Sequence, residues 1–343
     1  MKKRTVGIYA EYDASEQTLC AVFLARYISN CYRYAKWIVP QPPKSVKRSF
    51  GFSHQWDTEV IPWREGGKKI KSTLKLCDTF FFFEPNREIL EMLPENAVTA
   101  YVINPRNRNA ENQAFAEQCT FQLVTSPIWK KYFKSTNLGN HLLVWPFDPA
   151  VQCIPKQDRD DVKSPRIVFP AFGLSVEERT FIEEVARQVK SRCPNIQTVV
   201  TFYDALVKPV PGIDSRTDDW RLIRYLQNSD WLIDLNPRPC FCLSAAFAGG
   251  YGIPWCGYDL APNTDNLNGA RRHLLQAPSD YSDCLDVRTA RPCLESTVEQ
   301  IVSRLATPLH GDLERHAGAG FWDHRRAEFF RVTNTVLGIK TRY

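Results

Sequence analysis

The chain has 343 residues, 43% of them hydrophobic and 24% charged, with a formal net charge of +6. That is long for a single core, so two domains are the natural expectation, and the composition is that of an ordinary soluble globular protein. No run of about eighteen apolar residues occurs, which excludes a membrane-spanning helix, and the basic start MKKRTVGIYAEYD lacks a signal peptide's apolar stretch, so a cytosolic location is expected.

In chain order, Thr5–Ala10 reads as a first strand. Ser15 is placed to cap a helix carrying Leu19, Val22, Phe23, Tyr27 and Ile28 at helical spacing. Trp37–Val39 is the next strand, followed by a basic, aromatic loop over 41–56 and a second basic run at Lys68, Lys69, Lys71 and Lys75. Thr79–Phe83 is apolar on both faces, as a central parallel strand is, and ends at Glu84-Pro85. Thr99–Ile103, Phe121–Thr125 and His141–Val144 complete the strands, with a helix over 127–134. Strands alternating with helices indicate a parallel α/β domain over 1–147.

The Pro-rich, charged stretch 148–165 has no periodicity and reads as a linker. A second α/β domain then occupies 166–320, and a closing helix spans about Trp322–Leu337 within a C-terminal segment 321–343. Arg166–Phe169 is a strand, and Ser175 with Glu178 forms a capping box for the helix that follows. Thr198–Phe202 is a strand, Asp218-Asp219 opens a helix, and Glu295–Leu305 is amphipathic. The apolar run at 231–235 is a buried strand that Asn236-Pro237 stops. The small-residue segment after it, CFCLSAAFAGGYGIP, ends where a further strand begins. Strand, loop, helix start, small-residue helix and Gly-x-Pro turn together suit an anion site, because the free N–H groups of a helix start face what lies beyond the strand.

This stretch resembles the nucleotide-sugar-binding segment of GT-B glycosyltransferases, especially the retaining group that includes glycogen and lipopolysaccharide transferases. Phe241, Leu243, Ala248, Gly252 and Pro254 fall at that family's spacing. Both glutamates of its paired-Glu motif are replaced, by Pro239 and Phe247, and Cys240 and Cys242 stand in place of two glycines. Ser126, Val144–Asp148 and Phe321-Trp322 also resemble features of the family. The resemblance implies two Rossmann-like parallel-sheet domains facing a cleft, with the C-terminal helix crossing back to the first. It implies a nucleotide-sugar donor, a UDP-sugar as the leading candidate, and no metal. It also places a donor- or acceptor-touching residue in the loop that here holds Asn104 and Arg106, and a Lys or Arg near the start of the second domain's first helix, where Arg179 stands.

Glycosyl transfer without a metal needs cations and helix N–H groups for the leaving diphosphate. Arg238 is the first choice, with the backbone of Phe241, Cys242, Leu243 and Ser244, and then Arg179. The bland alternative makes both arginines surface charges. An inverting enzyme needs a general base near the first domain's strand ends. Glu84 is the leading candidate, with Asp13 and Glu11 behind it; the alternative for Glu84 is a helix cap.

The eleven cysteines are odd in number and scattered, which indicates reduced thiols, and no pair of C-x-x-C motifs suggests zinc. Residues 1–147 hold 20 Lys+Arg against 13 Asp+Glu, a net of +7, and the remainder holds 24 against 25, a net of −1. A basic first domain suits an anionic acceptor. Lys44, Lys47, Arg48, His54, Lys68 and Lys69 are the candidate contacts, with cations on phosphates and aromatic rings on bases. Hydroxymethylated pyrimidines in DNA, glycosylated by phage enzymes of this fold, are one acceptor class. A peripheral anionic membrane surface, as in surface-polysaccharide or lipid-linked glycan synthesis, is another. A GT-B module that binds nucleotide without catalysis is the non-enzyme alternative.

Overall fold

The computed structural model describes residues 5–11, 16–31, 34–40, 58–63, 67–103, 110–125, 140–142, 164–171, 174–201, 229–236, 244–245, 248, 253–259, 274–276, 292–306 and 326–339. The chain divides into two compact units, one formed by residues 1–145 with 326–343 and the other by 146–325. The expected linker lies almost wholly outside the described residues, as do the expected helices over 127–134 and at Asp218-Asp219.

The first unit contains β1 (Thr5–Tyr9), α1 (Glu16–Asn30), β2 (Tyr34–Val39), β3 (Thr58–Pro62), α2 (Gly67–Leu74), β4 (Cys77–Phe82), α3 (Arg87–Met92), β5 (Val98–Val102), α4 (Ala110–Gln118), β6 (Phe121–Val124) and β7 (Asn140–Leu142). All strand pairings are parallel and the order is β3-β2-β1-β4-β5-β6-β7. The sheet therefore runs outward in both directions from β1, so its topological switch point lies between β1 and β4.

The four consecutive phenylalanines explain why β4 is central. Phe80, Phe81, Phe82 and Phe83 are all buried, so the strand is covered on both faces. Each fully buried ring contributes about 1.5–3 kcal/mol of apolar transfer. Phe82 meets Phe115 of α4 edge-on at 5.1 Å, and Phe115 meets Tyr101 of β5 at 5.3 Å. Gly7 on β1 makes room for the Phe80 ring; a Cβ there would lie 2.2 Å from it.

A last helix, α7, over residues 326–337 packs onto this unit rather than the one preceding it in sequence. Tyr27 of α1 donates to Asn334 Oδ1 at 2.7 Å, stacks on Phe330 and meets Phe329 edge-on. Burial raises the Tyr27 phenol well above its ordinary range, so it stays a donor. This is the crossing-back helix that the resemblance implied.

The second unit contains β8 (Arg166–Pro170), α5 (Val176–Arg192), β9 (Gln197–Thr201), β10 (Trp231–Asp234), β11 (Trp255–Tyr258), β12 (Leu274–Leu275) and α6 (Leu294–Leu305). Its described strands are parallel in the order β12-β11-β10-β8-β9, which puts the switch point between β8 and β10. The capping box at α5 is complete: Glu178 N–H donates to Ser175 Oγ at 3.2 Å, and Ser175 N–H donates to Glu178 Oε2 at 2.8 Å. Ile182, Val185 and Val189 of α5 and Val298 and Ile301 of α6 join the apolar strands in one core.

Sequence periodicity missed β3 and α2. β3 is a short edge strand that starts just after the aromatic loop and ends on a proline. α2, GKKIKSTL, reads as a charge run, yet Ile70, Thr73 and Leu74 bury one face of it. The seven described cysteines are free thiols. No helix among the described residues is long and apolar enough to cross a membrane.

Candidate active site

In open parallel sheets, ligands are held beyond the strands' carboxyl ends at the switch point. In the first unit this edge carries the ends of β1 and β4. Tyr9 is in register with Phe82, and Phe83 N–H donates to Tyr9 O at 2.9 Å. Glu11 and Glu84 each follow two residues after this last pair, beyond the strand ends. Glu84 is half-buried and Glu11 exposed. Side chains fasten the edge beneath them: Gln17 Nε2 donates to Phe83 O at 2.9 Å, and Trp37 Nε1 donates to Ala10 O at 3.0 Å. Tyr101 lies close enough for the Glu84 charge to add to burial in pushing its phenol above the ordinary range.

The alternative of a helix cap for Glu84 is not what the structure uses. Asn86 is the N-cap of α3, its Oδ1 accepting from Ile89 N–H at 3.0 Å. That leaves the Glu84 carboxyl two residues outside the helix, at the strand edge.

In the second unit, the end of β10 is organised around one buried carboxylate. Asp234 is 5% exposed and Ser244 is 1% exposed. The Ser244 hydroxyl donates to Asp234 Oδ2, and Asn236 N–H donates to Asp234 Oδ1 at 2.9 Å. Trp255, at the start of β11, donates its indole Nε1–H to Ser244 Oγ at 3.2 Å. Gly257 is the reason the indole can lie there. A Cβ on Gly257 would sit 2.3 Å from the Trp255 ring and 2.9 Å from the Asp234 carbonyl oxygen.

The described residues on either side of 237–243, Asn236 and Ser244, are thus both tied to Asp234. The helical residues that follow, Ser244, Ala245 and Ala248, are buried, and Ile253 N–H closes onto Ala248 O at 2.8 Å. Small side chains let this segment lie against the sheet. Burial pushes the Cys256 thiol, next to Trp255, up to about 12.

Of the residues singled out for the diphosphate, Ser244 starts this segment with its side chain committed to Asp234 and Trp255. Arg179 sits in the first turn of α5, the helix that follows β8, the other strand of the switch point. It is half-buried with its Nε inside the protein, which differs from a fully solvated surface position. Arg238, Phe241, Cys242 and Leu243 lie outside the described residues, as do Asp13, Lys44, Lys47, Arg48, His54, Asn104 and Arg106. Lys68 and Lys69 are exposed on α2. Lys69 Nζ and Lys36 Nζ each lie 2.5 Å from an oxygen of Glu59 on β3, and the two ammonium groups hold that carboxyl below its ordinary range. Among the described residues, no group of three acidic, His or Cys side chains could hold a metal.

Two local features point to the clamp that periodicity hid. Asp234 is a lone acid inside an apolar run, and Trp255 follows the Gly-x-Pro turn directly.

No protein-family model matches the chain, and no curated protein matches it by sequence. Solved structures do match it over nearly its whole length. The pneumococcal O-GlcNAc transferase GtfA, in complex with UDP and GlcNAc, superposes with a TM-score of 0.65 at 8% identity, covering 99% of each chain. The fold is GT-B. Sucrose-phosphate synthase from Thermosynechococcus elongatus superposes at 0.62 with 12% identity and 98% coverage of each chain. An alpha-glucosyltransferase in complex with UDP and a 13-mer DNA containing an HMU base superposes at 0.59 with 9% identity, covering 98% of this chain and all of that one. At these identities the likeness fixes the fold, and the chemistry must be argued from the GT-B sites of this chain.

Proposed function

We propose that this protein is a glycosyltransferase that moves a sugar from a nucleotide-diphosphate sugar, a UDP-sugar in the first instance, to an acceptor hydroxyl. The observation that carries the reading is the clamped loop at the second sheet's switch point. Asp234 fastens both ends of 237–243, the segment whose sequence resembles the donor-binding stretch of GT-B transferases. Neighbours of this fold bind UDP, which supports the donor class.

In this reading, Arg238 and Arg179 meet the diphosphate, along with backbone N–H groups of 241–244. The bond between the sugar's anomeric carbon and the diphosphate oxygen breaks, and the diphosphate leaves with the electron pair. The acceptor oxygen bonds to that carbon. Its proton passes to the Glu84 carboxylate if the enzyme inverts, with Asp13 or Glu11 as substitutes, or to the departing diphosphate if it retains. The choice of Glu84 is supported by its half-buried position just beyond the end of a central strand.

For the acceptor, we propose a hydroxymethylated pyrimidine in DNA. The +7 charge of residues 1–147 supports an anionic acceptor, and one structural neighbour holds DNA with an HMU base. The test is incubation with UDP-glucose or UDP-GlcNAc and a hydroxymethyluracil oligonucleotide, read by mass spectrometry. Gain of one hexose or N-acetylhexosamine supports the reading. Slow hydrolysis of the UDP-sugar without transfer to DNA keeps the transferase and removes the acceptor. UDP binding with neither outcome favours a non-catalytic nucleotide-binding module, the reading that the replaced glutamate pair supports.

A further inference from the structure

We infer that α2 is a contact surface for a nucleic-acid phosphate backbone, formed by Lys68, Lys71 and Lys75. The inference rests on the nucleic-acid acceptor proposed above for its purpose, but its test does not use the reaction.

Four lysines fall within eight residues here, and the structure separates them. Lys69 is spent on Glu59, which Lys36 also holds. Lys68, Lys71 and Lys75 are exposed, and no carboxylate pairs with them among the described residues. Their spacing of three and then four residues puts them in one row along the helix. Lys75 N–H still bonds to Lys71 O at 3.3 Å, so the helical path reaches the last of them. At 1.5 Å per residue the row spans about 10 Å, the axial rise of roughly three nucleotides of one DNA strand.

The helix dipole favours Lys71 and Lys75 at the carboxyl end of α2, but it does not account for Lys68. α2 has no acidic residue in its first turn, where the helix dipole favours one, and carries lysines there instead. The nearby Glu59 carboxylate is neutralised by its two ammonium partners, so it does not cancel the row's field.

The partner's class follows from the other face of α2. A helix that binds a membrane surface inserts an apolar face between the headgroups. In α2 that face, Ile70, Thr73 and Leu74, is already buried in the protein. Next to the row among the described residues, Leu76, 67% exposed, is a single apolar side chain and not a face. What remains is a straight line of charge without an insertion surface, which suits a line of phosphates.

The experiment measures binding of the full-length chain to a fluorescent 20-base-pair duplex from 50 to 200 mM NaCl. It compares wild type with Lys68→Ala/Lys71→Ala/Lys75→Ala and with the corresponding triple Lys→Arg. Each phosphate contact contributes a slope of about 0.9 in log K against log salt. Losing three contacts lowers the slope by about 2.7, so over this fourfold salt range the wild type loses about forty-fold more affinity than the alanine variant. The arginine variant keeps the wild-type slope. UDP binding, measured in parallel, stays unchanged in all three proteins, so loss of UDP binding everywhere would count against the donor reading rather than this one. An unchanged slope in the alanine variant overturns the inference. So does a wild type that binds vesicles of anionic lipid but no duplex at 50 mM NaCl, or one that binds neither.

Discussion

Ser244→Ala tests the organisation of the donor site most directly. The substitution removes the hydroxyl that donates to Asp234 and accepts from Trp255. A hydrogen bond to a charged group contributes about 1.5–3 kcal/mol, and a buried indole N–H left without an acceptor costs about 1–3 kcal/mol more. Partial relaxation reduces the sum, so a loss of about 2–4 kcal/mol in the second unit is expected. For a unit of this size that is roughly 5–15 °C in Tm. Calorimetry reads the loss, and a cycle with Trp255→Phe isolates its cause. If the network holds, Trp255→Phe adds little once Ser244 is gone, and the coupling energy falls within about 0.5–3 kcal/mol. UDP affinity drops as well, because the 237–243 loop is released at one end while Asn236 still holds the other. Additive single losses, or a Ser244→Ala protein within 0.5 kcal/mol of wild type, a margin ordinary for surface sites, would refute the clamp.

The remaining predictions address the chemistry and the protein's alkaline limit. Glu84→Gln lowers turnover about a hundredfold or more with the Tm unchanged, as loss of a general base does; near-normal turnover moves the role to Asp13 or Glu11, or to a retaining mechanism. Arg238→Ala and Arg179→Ala each weaken UDP binding by about 1.5–3 kcal/mol, and titration calorimetry showing unchanged affinity removes that residue from the site. Burial pushes the thiols of Cys77, Cys119 and Cys256 from an ordinary 9.0 up to about 12. The unfolded chain ionises them first, so their stabilisation is complete below pH 9 and is lost as pH rises from about 9 to 12. Urea midpoints at pH 8 and pH 10.5 should show that fall, and replacing the three by alanine or valine should flatten it.

Much of the fold was legible because parallel strands buried on both faces write continuous apolar runs. Phe80 to Phe83 and Trp231 to Leu235 are such runs, and both are central strands. The capping box was legible because Ser175 and Glu178 act within four residues of each other. What escaped notice depends on contacts distant in sequence. β3 is a strand because it pairs with β2, with Glu59 set against Lys36 across the pair, and nothing in TEVIP alone says so. The helical nature of α2 comes from burying Ile70 and Leu74, while its lysines read as a solvated run. The Asp234–Ser244–Trp255 clamp joins residues ten and eleven apart, a separation that local pattern does not encode.

The clamp also bears on the replaced glutamates. In the resemblance, the second glutamate holds the donor's ribose, and Phe247 stands in its place. Asp234, the acid at the end of β10, cannot substitute. It is buried, and each of its oxygens already accepts a hydrogen from the protein. A buried carboxylate turned toward a ribose would have to abandon those bonds and leave the Ser244 hydroxyl without its acceptor, at a cost that two ribose bonds would not recover. It acts instead on the architecture, holding Asn236 and Ser244, the residues on either side of 237–243. In the proposed reading, donor recognition therefore rests on the diphosphate more than on the sugar ring of the nucleoside. That division suits a site beyond the strand ends at a switch point, where helix starts offer free N–H groups to a phosphate.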